Sequence, residues 1–275
     1  MENKLMINLR KVQIELLDEF VRICEVYNLT YFLTAGTLLG AVRHKGYIPW
    51  DDDIDVAMSR KDYEKFKDIY ENEKDTNYYL LSNRSSGDIK FDYRSYTKFC
   101  KKGTIFADNH GDPEKYTGIF IDIWPFDKCF LVFSCIQTNL IKHTWKFYRL
   151  KSKIDKPLKK PKYLLINIIC FIFSLKYFET LHNKLYLIFN NTNAKYISFF
   201  CGSKYGYKNE THKYTVLFPL TKLKFEEKYY NTPGNWDVFL KEMYGYNYMQ
   251  LPPENQRIDH NIKYIALSDS EIYYG

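Results

Sequence analysis

Two short runs, DIDVAM at 53–58 and IFIDIW at 119–124, place acids among residues that otherwise read as buried strand. In an extended chain, alternate side chains share a face. Asp53 and Asp55 therefore point the same way, while Ile54 and Val56 point into a core behind them. Asp122 has the same setting between Ile121 and Ile123. Neighbouring carboxylates on a rigid strand repel one another unless a cation lies between them. A chain with both runs is expected to build a sheet with one acidic, ligand-facing patch; caps, turn formers or partners of Arg43 and Lys45 are the other roles open to these acids. Hard oxygen donors of this kind suit Mg²⁺, with Mn²⁺ as a substitute, in the manner of sites that align two oxygens on one phosphorus. Asp53, Asp55 and Asp122 are the candidate metal ligands and catalytic acids. Asp51 and Asp52, beside Pro49, read equally well as turn formers or as groups shaping the approach.

The surrounding pattern supplies a phosphate side. Leu9, Val12, Leu16, Phe20, Ile23 and Tyr27 recur at helical spacing, so 5–27 is expected to be an amphipathic helix. A short strand at Tyr31–Leu33, a break at Ala35-Gly36-Thr37, a short helix over Thr37–Val42 and a strand over Ile54–Met58 follow, and Ser59 caps a helix to about residue 73. A glycine before a short helix lets backbone approach a phosphate and aims helix N–H groups at it, which makes Gly36 and Thr37 candidates. Arg43 can clamp a phosphate, and His44 or Lys45 can add positive charge. Lys98, in SYTKF, is a further phosphate candidate; a solvated strand lysine is its other role. Strands are expected within 78–106 and at Ile119–Trp124, helices at 130–150 and 162–190, short strands around 197–230, and a helix near Trp236–Tyr244.

The stretch TAGTLLGAVRHKGYIPWDDDIDVAMSRKDYEKF closely resembles the LicD family of phosphocholine transferases, within the nucleotidyltransferase fold superfamily. GIFIDIWPFD at 118–127, FPLTKLKFE at 218–226 and MYGYNYMQLPPENQRIDH extend the resemblance. It covers roughly 10–127 and 215–260 and is weakest between them. Two departures are Ala35, where a second glycine is common, and Ser59, where proline is frequent. The implied fold class is α+β (α/β mixed): a nucleotidyltransferase-like core with a small mixed sheet flanked by helices, plus a helical middle segment. The implied division is a catalytic core over 1–127, a helical, basic, membrane-proximal segment over 128–195, and a C-terminal segment over 196–275 packing back on the core.

The resemblance also implies a reaction. A phospho-group would move from a CDP-activated alcohol, usually CDP-choline, to a hydroxyl of a surface glycan such as lipopolysaccharide, teichoic acid or capsule. Related proteins move ribitol or glycerol phosphate. Asp122 would be the base, and Gly36, Thr37 and Arg43 would neutralise the leaving phosphates. Trp50 and Trp124 are the best-placed faces for a quaternary ammonium, with core packing the other role open to each. Two other classes stay open: a nucleotidyltransferase adding NMP to a protein, tRNA or small molecule, and a non-enzymatic nucleotide- or membrane-binding relative.

Charge narrows the partners. The net +7 is concentrated between Lys142 and Lys162, where nine basic residues face one acid. A general nucleic-acid binder spreads its basic residues over a broad face, so nucleic acid is not an expected partner. The basic segment lies between uncharged runs at 129–141 and 163–175, each of 13 residues and shorter than the roughly 20 that a bilayer-spanning helix needs. An apolar hairpin beside lysines fits docking on an anionic inner leaflet, and a lipid-linked acceptor; a buried helical pair whose lysines face solvent fits equally well. Six cysteines without a CxxC read as free thiols, and the charged N-terminus is unlike a signal peptide; the expected location is cytoplasmic.

Overall fold

The computed structural model describes residues 4–72, 77–81, 96–108, 117–151, 168–169, 171–200, 208–257, 262–268 and 270–274. The lysines at 156–162, Cys170, Cys201, all of 82–95 and the start of the helix expected from 162 lie outside them. The chain forms two compact units, Met1–Phe126 with Thr215–Gly275, and Asp127–Tyr214. The fold is α+β.

In the first unit, α1 (Lys4–Val26) buries Leu9, Leu16, Leu17, Phe20 and Ile23, the apolar stripe legible in the sequence. Next come β1 (Tyr31–Leu33), α2 (Ala35–Arg43), β2 (Asp55–Ser59) and α3 (Arg60–Asn72). Ser59 closes β2 and caps α3, its hydroxyl accepting from the Asp62 N–H at 3.1 Å. A proline would remove this bond, so the departure noted at Ser59 has a local reason. β3 (Tyr78–Leu81), β4 (Thr97–Lys101), β5 (Ile105–Asp108) and β6 (Phe120–Cys129) follow. The main sheet runs β1-β2-β6-β4-β3. β2 and β6 are parallel and the other pairs antiparallel, so the sheet is mixed. Phe20, Phe66 and Phe99 fill the core on one side, at ring separations of 5.1 and 6.0 Å.

β6 is longer than IFIDIW suggests, running ten residues from Phe120. Its last three pair with β7 (Tyr196–Ser198), which pairs in turn with β8 (Thr211–Lys213), both in the second unit. That unit also holds α4 (Leu131–Lys151) and α5 (Leu175–Leu187). Phe130 meets Phe189 and Phe147 meets Phe178, so the two helices run antiparallel. α5 starts at Leu175 because the Ser174 hydroxyl caps it by accepting from the Tyr177 N–H. The continuous helix expected over 162–190 is broken there.

The chain then returns to the first unit with α6 (Tyr214–Leu217), which begins at the boundary, the hairpin β9 (Thr221–Phe225) and β10 (Lys228–Thr232), and α7 (Trp236–Tyr244). Phe225, Tyr230 and Phe239 are buried, and Phe239 meets Phe32 edge-on at 6.3 Å. β11 (Ile262–Ser268) and β12 (Glu271–Tyr274) complete an antiparallel sheet with β5, an arrangement the sequence did not announce.

Candidate active site

The parallel register of β2 and β6 puts Asp55 beside Asp122, and the antiparallel register of β6 and β4 puts Lys98 on Asp122's other side. Registered residues on neighbouring strands share a face about 4.8 Å apart. Three strands thus contribute one row, Asp55–Asp122–Lys98. Both acids are buried. The Lys98 ammonium donates to both Asp122 oxygens, at 3.0 and 3.3 Å, and lies 3.1 Å from the Phe120 ring centre. Asp55 is held well above the usual carboxylate range by burial first, then by the charges of Asp53 and Asp122. The Trp124 indole N–H, 2.6 Å from its Oδ1, pulls weakly the other way.

Asp53 belongs to the loop between α2 and β2. There the carboxylates of Asp51, Asp52 and Asp53 come within 4.8 Å of one another. Two sets of acids therefore share Asp53: the loop trio, and Asp53 with the Asp55–Asp122 pair. The loop trio brings hard oxygens to a spacing that suits a divalent cation. Around Asp55, burial and the charges of Asp53 and Asp122 raise the carboxyl, a setting that a nearby cation would relieve.

The loop is held from a distance. Arg10 of α1 donates through Nη2 to the carbonyls of Ile48, Pro49 and Asp51, at 2.9–3.1 Å. Gln13, one turn on, donates to the Asp52 carbonyl at 2.7 Å and accepts from the Tyr47 hydroxyl. Glu226, after β9, accepts from the Tyr47 N–H at 2.9 Å, while its own N–H donates to the Lys45 carbonyl. A side chain at Gly46 would run into the Glu226 carboxylate, which explains glycine there. Sequence reasoning missed Arg10, Gln13 and Glu226 as parts of the site; FPLTKLKFE carried the only hint of the last.

The expected phosphate side is rearranged. Thr37 turns its hydroxyl to accept from the Asp55 N–H at 2.8 Å, so it ties α2 to the start of β2. A Cβ on Gly36 would come within 2.7 Å of the Asp51 carboxylate. Ala35 takes a left-handed conformation, φ 47°, where glycine is at ease and alanine is not. Arg43 donates through Nη1 to the carbonyls of Tyr248 and Gln250, bracing α2 against the late YNYMQ run. Its Nε–H points to His44 Nδ1 at 3.4 Å. Burial and the Arg43 charge push His44 below its ordinary range, so it is neutral at pH 7 and supplies no positive charge. With Nδ1 accepting, Nε2 carries the proton and can donate. Lys45 donates to the Val42 carbonyl at the end of α2.

Trp124 stacks on Tyr96 at 4.0 Å beside Asp55, an aromatic wall in which Tyr96 was not anticipated. Trp50 lies under the Arg257 guanidinium, 4.7 Å from its ring centre. One face of Trp50 is therefore already covered by a cation.

Comparison with known proteins gives the chain its family. Residues 28–168 match the family described as LicD/FKTN/FKRP, nucleotidyltransferase domain, a match that contains every acid of the site. The lipopolysaccharide cholinephosphotransferase LicD of Haemophilus influenzae is 28% identical over 256 residues, covering 92% of this chain and 94% of that protein. An uncharacterized protein of Rickettsia typhi is 34% identical over 100 residues, 36% of this chain and 29% of its own. The match spans half of the sequence and takes in both strands that bear the acidic row. The chain belongs to the LicD/FKTN/FKRP nucleotidyltransferase-domain family.

Proposed function

We propose that the protein is a Mg²⁺-dependent transferase that moves phosphocholine from CDP-choline to a hydroxyl of a lipid-borne surface glycan, lipopolysaccharide in the first instance. The observation that carries the reading is the Asp55–Asp122–Lys98 row in a chain that aligns along nearly its whole length with a lipopolysaccharide cholinephosphotransferase. Asp53, Asp55 and Asp122 hold the cation. When bound, it supplies charge neutralisation for the diphosphate and acidifies a hydroxyl.

The chain's own groups do the rest. Asp122 accepts the proton of the acceptor hydroxyl as that oxygen attacks the phosphorus bearing choline and CMP departs. Lys98, bonded to both Asp122 oxygens, fixes that carboxylate and brings an ammonium to the incoming phosphate. His44 donates from Nε2 to a phosphate oxygen, and the amides at Gly36 and Thr37 add donors. Arg43 acts by bracing α2 through its carbonyl contacts. Trp124 and Tyr96 offer aromatic surface to the quaternary ammonium. The reading places the protein in the cytoplasm, peripheral to the membrane that carries its acceptor.

The test is incubation with a panel of CDP-choline, CDP-ethanolamine, CDP-ribitol and CDP-glycerol, with Mg²⁺ and lipopolysaccharide acceptor, following CMP. Acceptor-dependent CMP release from CDP-choline, stopped by EDTA and restored by Mg²⁺ or Mn²⁺, is the expected result. Release from a polyol donor alone reassigns the alcohol. Pyrophosphate release from an NTP would replace the reading with nucleotidyl transfer.

A further inference from the structure

α4 is turned inside out at its N-terminal half. Its buried positions are Ser134, Gln137, Thr138, Ile141 and Thr144, four of them polar. Most of those polar groups are partnered within the unit. Gln137 donates to the Leu185 carbonyl at 2.7 Å, although its own Oε1 is buried without a partner among the described residues. Ser134 and Thr138 donate to the Leu131 and Ser134 carbonyls, and the Thr144 hydroxyl meets His182 Nδ1 at 2.9 Å. The outward positions are Leu131, Val132, Phe133, Ile136 and Leu140, between 47% and 82% exposed. A helix on a water-facing domain shows the opposite arrangement. Leu187 and Ile188, also exposed, adjoin the same end, because Phe189 packs on Phe130 and Phe133.

The charge around this face has one sign. After Leu140 the exposed positions become Lys142, His143 and Lys146, and α4 contains no acid. Asp127–Tyr214 has 16 basic residues against 4 acids, a net +12, whereas the rest of the chain has 24 against 29, a net −5. No helix of the described residues is long and apolar enough to cross a membrane. Apolar side chains outward, bonded polar groups inward and a one-signed basic flank are the properties of a helix lying in a lipid interface.

We propose that the outward face of α4, with Leu187 and Ile188, docks on an anionic phospholipid bilayer. The apolar side chains enter the headgroup–acyl boundary, and the basic residues hold the lipid phosphates. A second copy of the chain is the weaker occupant. An isologous contact through this face would bring together two units that each carry a net +12. The purpose assigned to the docking, bringing the protein to a lipid-borne acceptor, rests on the function proposed above; the binding itself does not.

The experiment is flotation of the full chain with vesicles of phosphatidylglycerol and phosphatidylcholine, and with phosphatidylcholine alone. The expected result is flotation with the anionic vesicles only, weakened by salt. The triple variant Val132→Gln, Ile136→Gln, Leu140→Gln should bind them at least tenfold less while keeping its thermal unfolding transition, since all three side chains are exposed. Wild-type protein that stays unbound to anionic vesicles, or a triple variant that floats as well as wild type, overturns the proposal. So does a wild-type dimer in light scattering that the triple variant abolishes, which would give the face to a second copy. Wild-type protein that releases CMP but does not float defeats the docking alone; wild-type protein that floats but releases no CMP defeats the transfer reading alone.

Discussion

Asp55 carries the clearest physical tension at the scale of single residues. Its carboxyl is buried against two other acids and so retains its proton to higher pH than in the unfolded chain, where the group titrates near 3.9. Between those two pKa values the folded protein binds the extra proton. In cation-free buffer, stability therefore falls as pH rises through this window. Asp55→Asn should remove that slope, raising stability at pH 8 by about 1–3 kcal/mol while leaving pH 4 nearly unchanged, as read by urea denaturation. The same variant should lose CMP release and the rise in Tm that Mg²⁺ is expected to give the wild type. An unchanged pH slope in the variant would remove Asp55 as its source. Ala35 allows a second test. Its left-handed backbone predicts that Ala35→Gly is neutral to mildly stabilising, whereas Ala35→Val costs about 2 kcal/mol by the same denaturation measurement.

Among the elements, α1 is a brace for chemistry it does not touch. Arg10 gathers three carbonyls of the 48–51 loop through one nitrogen, and Gln13 holds a fourth. Arg10→Met keeps the packing stem and removes the donors, leaving those carbonyls to water. It should lower kcat/KM for CMP release about 10- to 100-fold with far-UV circular dichroism unchanged, and open the loop to limited proteolysis. The acidic row was legible in the sequence because alternation on a strand has a fixed period of two. Apolar neighbours such as Ile54, Ile121 and Ile123 then leave the acids one direction to point. The brace was not legible. A side chain that donates to backbone carbonyls 38–41 positions away leaves no periodic trace, and any carbonyl serves as acceptor. Arg43's bracing role was hidden for the same reason: an arginine near acids suggests a phosphate clamp, and the sequence gives no sign that it also donates to the Tyr248 and Gln250 carbonyls. In α4 the spacing predicts a helix correctly. Which side turns inward depends on α5, whose Leu185 and His182 accept the polar face.

Across the whole molecule, the unit that bears the acids is discontinuous. Phe225, Tyr230 and Phe239 are buried in it, and Glu226 closes its acid loop. Losing three buried aromatics would remove several kcal/mol of apolar burial, comparable to the net stability of a domain. A chain ending at residue 214 should therefore show no cooperative unfolding transition in circular dichroism, although every acid of the row lies before residue 127. A sharp two-state transition in that truncation would show that the first 126 residues form the core without the return.

The contact between Glu226 and the segment at Lys45 and Tyr47 has a consequence for how the protein comes into being. A ribosome releases Arg10, Gln13 and the acids early, and Glu226 only with the final fifth of the chain. The loop carbonyls therefore have their α1 donors long before the Tyr47 amide meets its acceptor. Chains that terminate early carry the full acidic signature in their sequence but lack this last tie on the loop.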